Sequence, residues 1–148
     1  MRIVVLIGLP GSGKSTWLEW MGATGLSSDA IRKLLADDEG DQTIHARVFQ
    51  TLRYLLMKRL AIGRPVTYID ATNLTPAERA PYIRIGKARA SQVEAVFFNV
   101  PLEVCRARNA QRQRVVPVLF RGLPEFLVLA LHLQAAQILR TLLRREVV

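Results

Sequence analysis

Short apolar runs alternate with longer segments in which apolar residues recur every three or four positions along the chain. The runs have the length of β-strands, and the longer segments have the periodicity of amphipathic helices. The pattern predicts strands at 3–7, 25–27, 66–69 and 93–100. It predicts helices at 15–21, 28–36, 43–61 and 76–90, with another beginning at Pro101. Such alternation is typical of an α/β domain in three layers, with a central, mostly parallel sheet of about four strands between helices.

The predicted helices after the second and third strands carry capping signals. Ser28 or Asp29 is expected to cap the first of these helices. Thr75 is expected to cap the second, with Pro76 at the first helical position and Glu78 three residues after the cap. Between them lies helix 43–61, whose predicted core side consists of Ile44, Val48, Leu52, Leu55, Leu56 and Leu60.

The segment 124–145 differs from the rest of the chain because apolar residues dominate it. Its polar residues fall on adjoining stripes at helical spacing, which predicts an amphipathic helix with a wide apolar face. Glu125, His132 and Arg140 lie within it and argue against a membrane span. We expect the apolar face to pack on the sheet or on a second copy of the protein, and the second arrangement would make a homodimer.

The composition is that of one folded domain. With 148 residues, of which 50% are hydrophobic and 22% charged, the chain is long enough for a single domain spanning 1–148. Cys105 is the single cysteine, so no internal disulfide can form, which favours a reducing compartment. The N-terminal apolar run is too short for the hydrophobic region of a signal peptide. We therefore expect a cytoplasmic protein that does not enter a membrane.

Positive charge is concentrated in the C-terminal part of the chain. The net charge is +9, from 21 basic and 12 acidic residues. Residues 104–148 contain eight arginines against the two acids Glu125 and Glu146. A polyanionic partner such as nucleic acid would explain this distribution. An arginine-rich genome would explain it as well, because only four of the basic residues are lysines.

A phosphate-binding motif follows the first predicted strand. Residues 8–15 read Gly-Leu-Pro-Gly-Ser-Gly-Lys-Ser and match the P-loop pattern G-x-x-x-x-G-K-[ST] without a gap. The glycines let successive backbone N–H groups point at phosphate oxygens, and the following helix adds the positive end of its dipole. In this motif Lys14 reaches the β- and γ-phosphates, and the Ser15 hydroxyl binds Mg²⁺. The motif therefore predicts a P-loop NTPase fold.

We predict that this loop binds ATP, or another nucleoside triphosphate, together with Mg²⁺. The Lys14 side chain is expected to face solvent before the nucleotide binds, so that its loss removes transition-state charge but little packing. The predicted nucleotide contacts are Gly8, Pro10, Gly11, Ser12, Gly13, Lys14, Ser15 and Thr16.

Phosphoryl transfer also needs a base for the acceptor hydroxyl and positive charge near the migrating group. Asp29 and Arg32 follow the second strand three residues apart, although they would also suit a helix cap with a local ion pair. Asp70 ends the third strand, where an acid commonly serves a metal ion or its waters, and where it can also close an Asx-type turn. Arg108 and Arg112 are four apart and so share a helix face, in a segment at about 106–120 where small kinases carry a lid.

With these residues the chain resembles the 5′-OH polynucleotide kinase family, the kinase module of phage and bacterial end-healing enzymes. The matching segments are 8–17, 27–32, 70–74 and 108–117, and their order fits over residues 2–118. The resemblance implies that Asp29 is the general base for the 5′ hydroxyl and that Arg32 contacts the nearest phosphate of the acceptor. It also implies that Arg112 is the lid arginine that neutralises the transferring phosphoryl group, with Arg108 assisting.

The sequence departs from that family after Pro117, where Val118-Leu119-Phe120 and an apolar segment replace a polar lid helix. The leading hypothesis is transfer of the ATP γ-phosphate to the 5′-OH end of DNA or RNA. A small-molecule kinase acting on a sugar, a nucleoside or an antibiotic is the first alternative, favoured by the apolar C-terminal region. The second alternative is a nucleotide-binding regulatory protein that uses the apolar helix as its interface.

Overall fold

The computed structural model describes residues 1–111. Within them, four strands form one sheet: β1 (Arg2–Ile7), β2 (Gly25–Ser27), β3 (Val66–Asp70) and β4 (Gln92–Phe97). The spatial order is β2-β3-β1-β4, and all neighbouring strands are parallel. The helices are α1 (Lys14–Trp20), α2 (Ser28–Ala36), α3 (His45–Ala61), α4 (Pro76–Ala88) and α5 (Leu102–Ala110). The predicted α/β fold with a parallel four-stranded sheet is confirmed in this part of the chain.

Strand β1 is the centre of the fold because both of its faces are buried. Ile3, Val5 and Ile7 belong to a core on one face. The other buried members of this core come mainly from α2, α3 and β3: Ile31, Val48, Leu52, Leu56, Leu60, Ile69 and Tyr82. Val4 and Leu6 belong to a second core, where Leu18 of α1 covers the opposite face. An unbroken apolar run is what a parallel strand with helices on both faces requires.

The capping box predicted at the start of α4 is present. The Thr75 hydroxyl accepts a hydrogen bond from the Glu78 N–H at 3.2 Å, and the Glu78 carboxylate accepts one from the Thr75 N–H at 2.7 Å. Pro76 occupies the first turn. The prediction for α2 is wrong by one or two positions, because Ser27 is its N-cap and its hydroxyl accepts from the Ala30 N–H. Neither Ser28 nor Asp29 caps that helix.

Other element boundaries differ from the sequence prediction for local reasons. Helix α3 begins at His45 rather than at 43, because the Asp41 carboxylate holds Thr43 in a turn. Helix α4 ends two residues early, where Ala90 adopts a left-handed conformation. Strand β4 ends at Phe97 rather than at 100.

Several sequence predictions lie outside the described residues. They are Arg112, the part of the lid segment 106–120 that follows residue 111, and the amphipathic helix 124–145. Helix α5 carries Arg108 but ends at Ala110, with Gln111 as its C-cap, so it stops short of position 112. Among residues 1–111, no helix combines the length and apolar character that a bilayer crossing needs.

Candidate active site

The candidate residues collect at the carboxyl edge of the sheet. The P-loop follows β1, α2 follows β2 directly, and Asp70 is the last residue of β3. Ser27 at the end of β2 pairs in register with Asp70. Neighbouring strands lie about 5 Å apart, so the start of α2 and the end of β3 are adjacent. In open α/β sheets, ligands bind at this edge.

The P-loop has the backbone shape that a phosphate cradle needs. Gly11 and Gly13 have φ values of 83° and 91°, in the left-handed region. A Cβ at Gly11 would lie 2.4 Å from the Cys105 carbonyl oxygen, so only glycine lets α5 approach the loop this closely. A Cβ at Gly13 would meet no atom within 4 Å among the described residues, which leaves that side of the loop open. Gly13 is also the N-cap of α1, where backbone N–H groups are available to an anion.

The Lys14 side chain is buried in the loop. Its Nζ donates hydrogen bonds to the Gly8 carbonyl at 2.8 Å and the Leu9 carbonyl at 2.9 Å. It also lies 3.4 Å from the Ser12 hydroxyl, and the residue is only 8% exposed. The expectation that Lys14 faces solvent is therefore wrong, because the curled loop turns its own carbonyl groups toward the ammonium.

Ser15 and Asp70 are in direct contact although they are 55 positions apart in the sequence. The Ser15 hydroxyl donates a hydrogen bond of 2.9 Å to the Asp70 carboxylate oxygen Oδ2. Asp70 is buried at the tip of β3, and Ser15 is the second residue of α1. The structure thus brings together the two residues that the sequence analysis predicted to serve the metal ion.

Asp29 and Arg32 form an ion pair in the first turn of α2. Arg32 Nη1 donates to Asp29 Oδ1 at 2.9 Å and also lies 3.5 Å from the Glu39 carbonyl oxygen. Arg32 is only 4% exposed, whereas the Asp29 side chain is 46% exposed. The buried Arg32 Nε has no hydrogen-bond partner among the described residues. The guanidinium is therefore anchored at one end and retains an unused donor in a buried place.

Helix α5 packs against the P-loop through Cys105. Burial raises the pKa of the Cys105 thiol, and the nearby positive charges of Lys14 and Arg108 lower that pKa in part. Arg108 lies one turn of helix from this contact and is exposed. The structure thus places Arg108 on the helix that contacts the loop, while Arg112 lies beyond the described residues.

The family model of the AAA domain matches residues 3–120, which is most of the chain. The chain belongs to this family. The AAA domain described here also matches a protein named transcription factor bHLH140 from Arabidopsis thaliana, at 31% identity over 110 residues. The match covers 74% of this chain but 11% of that much longer protein. The chain therefore corresponds to a small part of this relative.

Solved structures with the fold of this AAA domain include two chains from structures of Pnkp1/Rnl/Hen1 assemblies. One is from the Pnkp1/Rnl/Hen1 complex, with a TM-score of 0.62, 19% identity and coverage of 83% of this chain and 42% of that chain. The other is from the Pnkp1/Rnl/Hen1 RNA repair complex, with a TM-score of 0.64 and 19% identity. This match covers 97% of this chain and 45% of that chain. This chain thus spans less than half of either.

A small-molecule kinase has the same fold. The Mycobacterium tuberculosis APS kinase CysC, solved in complex with AMPPNP and APS, matches with a TM-score of 0.54 and 23% identity. The match covers 74% of this chain and 69% of CysC. The chain therefore shares its fold with chains of the Pnkp1/Rnl/Hen1 complexes and with an APS kinase.

The donor set of the AAA domain fits a nucleotide with Mg²⁺. Ser15 and Asp70 supply hard oxygen atoms, which Mg²⁺ prefers. No group of three or more His, Cys, Asp or Glu side chains in residues 1–111 is arranged to hold a metal ion. One or two protein oxygens suit Mg²⁺, which usually completes its shell with water and substrate phosphates. Ser15 would hold the ion directly and Asp70 through a water molecule.

Sequence reasoning missed Asn73. It is buried just after β3, and its Nδ2 donates to the Leu6 carbonyl oxygen at 2.8 Å. Asn73 has a φ of 50°, and asparagine is enriched among the non-glycine residues that adopt this conformation. An asparagine shortly after a predicted strand was therefore an available signal for a tight turn, but its partner 67 positions away was not.

Proposed function

We propose that this chain transfers the γ-phosphate of ATP to the 5′-OH end of a polynucleotide. The observation that carries the proposal is the position of the Asp29–Arg32 pair. The pair begins two residues after Ser27, which is in register with Asp70, and Asp70 contacts Ser15 of the P-loop. This register supports Asp29 as the candidate base, because Asp29 lies in the first turn of α2, directly after the strand that neighbours β3 and the candidate metal residue Asp70.

In the proposed reaction the 5′ oxygen forms a bond to the γ-phosphorus, and the bond from that phosphorus to the β–γ bridging oxygen breaks. Asp29 accepts the proton of the 5′ hydroxyl, and ADP leaves with the bridging oxygen. Mg²⁺, when bound, would neutralise charge on the β- and γ-phosphates. Lys14 would exchange its bonds to the Gly8 and Leu9 carbonyls for bonds to phosphate oxygens.

Arg32 would act on the acceptor. Its bond to Asp29 orients the carboxylate, and its Nε, which has no hydrogen-bond partner within residues 1–111, is a charged donor that a phosphate next to the 5′ end can satisfy. Hydrogen bonds between an arginine and a phosphate are among the strong ones in proteins. A buried arginine with an unused donor is costly, and an anionic acceptor offsets that cost. This supports a phosphate-bearing acceptor over a neutral sugar.

Arg108 and Arg112 complete the proposal as lid residues over the transferring phosphoryl group. The domain boundaries 1–148 and a homodimer through segment 124–145 remain predictions from the sequence. Sedimentation of the full chain, beside a variant with charged residues in place of Leu139 and Leu143, tests the homodimer.

Transfer of labelled phosphate from ATP with Mg²⁺ tests the function. The acceptors are matched 5′-OH and 5′-phosphate oligonucleotides of DNA and RNA, together with nucleosides, sugars and APS. We expect label on the 5′-OH oligonucleotides and none on the 5′-phosphate controls. Efficient labelling of APS or a nucleoside, with none on oligonucleotides, would show that the chain is a small-molecule kinase.

A second test measures the role of Arg32 in binding the acceptor. On single strands, each neutralised phosphate contributes about −0.7 to the slope of log affinity against log salt. We expect Arg32→Gln to make the slope shallower by about that amount. Lys33→Gln is the matched control, because Lys33 is exposed on the same helix and carries the same charge. Equal slopes for the parent and Arg32→Gln would remove Arg32 from acceptor binding.

A further inference from the structure

The loop after β3 is joined to the end of β1 at two adjacent points. The register of β1 and β3 runs as far as the pair Val5 and Ile69. Beyond it, the Asn73 side chain donates from Nδ2 to the Leu6 carbonyl at 2.8 Å, and the Thr72 carbonyl accepts from the Gly8 N–H at 3.1 Å. The asparagine side chain thus continues the connection between the strands where the backbone of β3 has turned away.

Asn73 is fixed from its other side as well. Arg79 Nη1, on α4, donates to the Asn73 carbonyl at 2.8 Å and to the Leu74 carbonyl at 2.7 Å. Asn73 Nδ2 lies 3.3 Å from the Ala71 carbonyl oxygen, so the side chain also braces its own loop. With 1% of its surface exposed, Asn73 has no route to substrate and acts through its neighbours.

Asn73 can influence the candidate metal site through the contact between Asp70 and Ser15. Asp70 precedes Asn73 by three residues, and its carboxylate meets the Ser15 hydroxyl at 2.9 Å. The distance between those two groups depends on how β3 and its loop sit against β1 and the P-loop. The β1–β3 pairing sets this alignment as far as Val5 and Ile69, and the Asn73–Leu6 and Gly8–Thr72 hydrogen bonds extend it to the site.

We propose that Asn73 is a positioning residue that holds Asp70 against Ser15 and thereby sets the affinity of the nucleotide-loaded site for Mg²⁺. This inference rests on the proposed function, in which the P-loop binds a nucleotide with Mg²⁺. Loss of a residue that orients metal ligands typically lowers metal affinity by about 10- to 100-fold. Asn73 belongs at the lower end, because the Gly8–Thr72 bond remains when its side chain is removed.

The test measures binding of AMPPNP by calorimetry, with Mg²⁺ and with EDTA, and requires no catalysis. Asn73→Gly removes Nδ2 and tolerates the left-handed conformation. We expect it to reduce the Mg²⁺-dependent gain in nucleotide affinity about tenfold. Binding in EDTA should change by less than about threefold, and a higher Mg²⁺ concentration should restore the parent affinity. Thr75→Ala is the matched control, because it weakens the same loop through the capping box without touching Nδ2.

The outcomes separate the two proposals. An Asn73→Gly protein with the parent's Mg²⁺-dependent gain, or with equal losses in Mg²⁺ and EDTA, would overturn the positioning role and leave the proposed function standing. A parent that binds no nucleotide in Mg²⁺ would overturn both. Should the glycine variant fail to fold, Asn73→Ser takes its place, because its hydroxyl is too short to replace Nδ2 and the same loss of Mg²⁺-dependent affinity is expected.

Discussion

Replacement of Asp29 by asparagine separates the proposed base from a structural ion pair. Asparagine keeps the size of the side chain and can still accept a hydrogen bond from Arg32, but it cannot take up the hydroxyl proton. A general base contributes about 10²- to 10⁴-fold to a rate, which corresponds to about 3–5 kcal/mol of transition-state stabilisation. In a loose phosphoryl-transfer transition state the proton leaves late, so a carboxylate suffices as the base.

The contacts of Asp29 indicate how much the free energy of unfolding should fall in Asp29→Asn. Ser27 caps α2, so Asp29 contributes its ion pair with Arg32 and a favourable charge in the first turn. Asp29 is half exposed, so water screens the pair. The loss is therefore expected to be about 1–2 kcal/mol, between the value for a surface pair and that for a buried one. A domain of ordinary stability stays folded after such a loss.

The assay is single-turnover transfer to a 5′-OH oligonucleotide, with the parent and Asp29→Asn both saturated in ATP. Ser27→Ala is the control, because loss of an N-cap costs about 1 kcal/mol and leaves the carboxylate in place. We expect Asp29→Asn to be at least about 100-fold slower and the control to keep the parent rate. An Asp29→Asn rate within about threefold of the parent would remove Asp29 from the mechanism.

Further substitutions test other parts of the site and core. Lys14→Ala should slow transfer by about 10²-fold or more and, because it frees the Gly8 and Leu9 carbonyls, should also lower the melting temperature; an unchanged melting temperature would contradict the buried geometry. Gly11→Ala should abolish nucleotide binding, because its Cβ would clash with α5. Gly13→Ala meets no such clash within residues 1–111 and should cost only about 1–2 kcal/mol of backbone strain. Calorimetry with AMPPNP compares nucleotide binding by the two variants. Burial raises the pKa of Tyr82 to about 12, so stability should fall as the pH rises from about 10 to about 12, where the unfolded chain ionises first. In chemical denaturation, the free energy of unfolding of Tyr82→Phe should depend less on pH in this range than that of the parent. The same pH dependence in both proteins would contradict the raised pKa of Tyr82.

The fold was predictable from the sequence because its signals are periodic and local. The unbroken apolar run of β1 and the Thr75–Glu78 capping box each act within a few residues, and both are present. The cap of α2 was misplaced because Ser27, Ser28 and Asp29 are consecutive and all suit the position. Only the backbone conformation of Ser27 selects it.

The sequence predicted the residue types of the candidate site, but it could not predict the contacts between them. A parallel sheet places Ser15 and Asp70 at one edge, but their 2.9 Å contact requires β3 to lie beside β1. Lys14 is buried because the Gly8 and Leu9 carbonyls point toward its ammonium group. The motif gives the residue types of the loop but not the direction of these carbonyls. The bond from Asn73 to Leu6 depends on a neighbouring strand and has no signal near either residue.

The P-loop is held in shape by contacts with residues far along the chain, and this affects the order of folding. The motif ends at residue 15, yet its hydrogen-bond partners include Asp70 and Thr72, and Gly11 packs on the backbone of Cys105. A chain leaving the ribosome therefore exposes the motif long before the groups that shape it exist. Contacts between residues so far apart form late, after the entropy of closing long loops has been paid. A nucleotide bound to the P-loop as proposed would therefore stabilise the finished sheet rather than guide the early steps of folding.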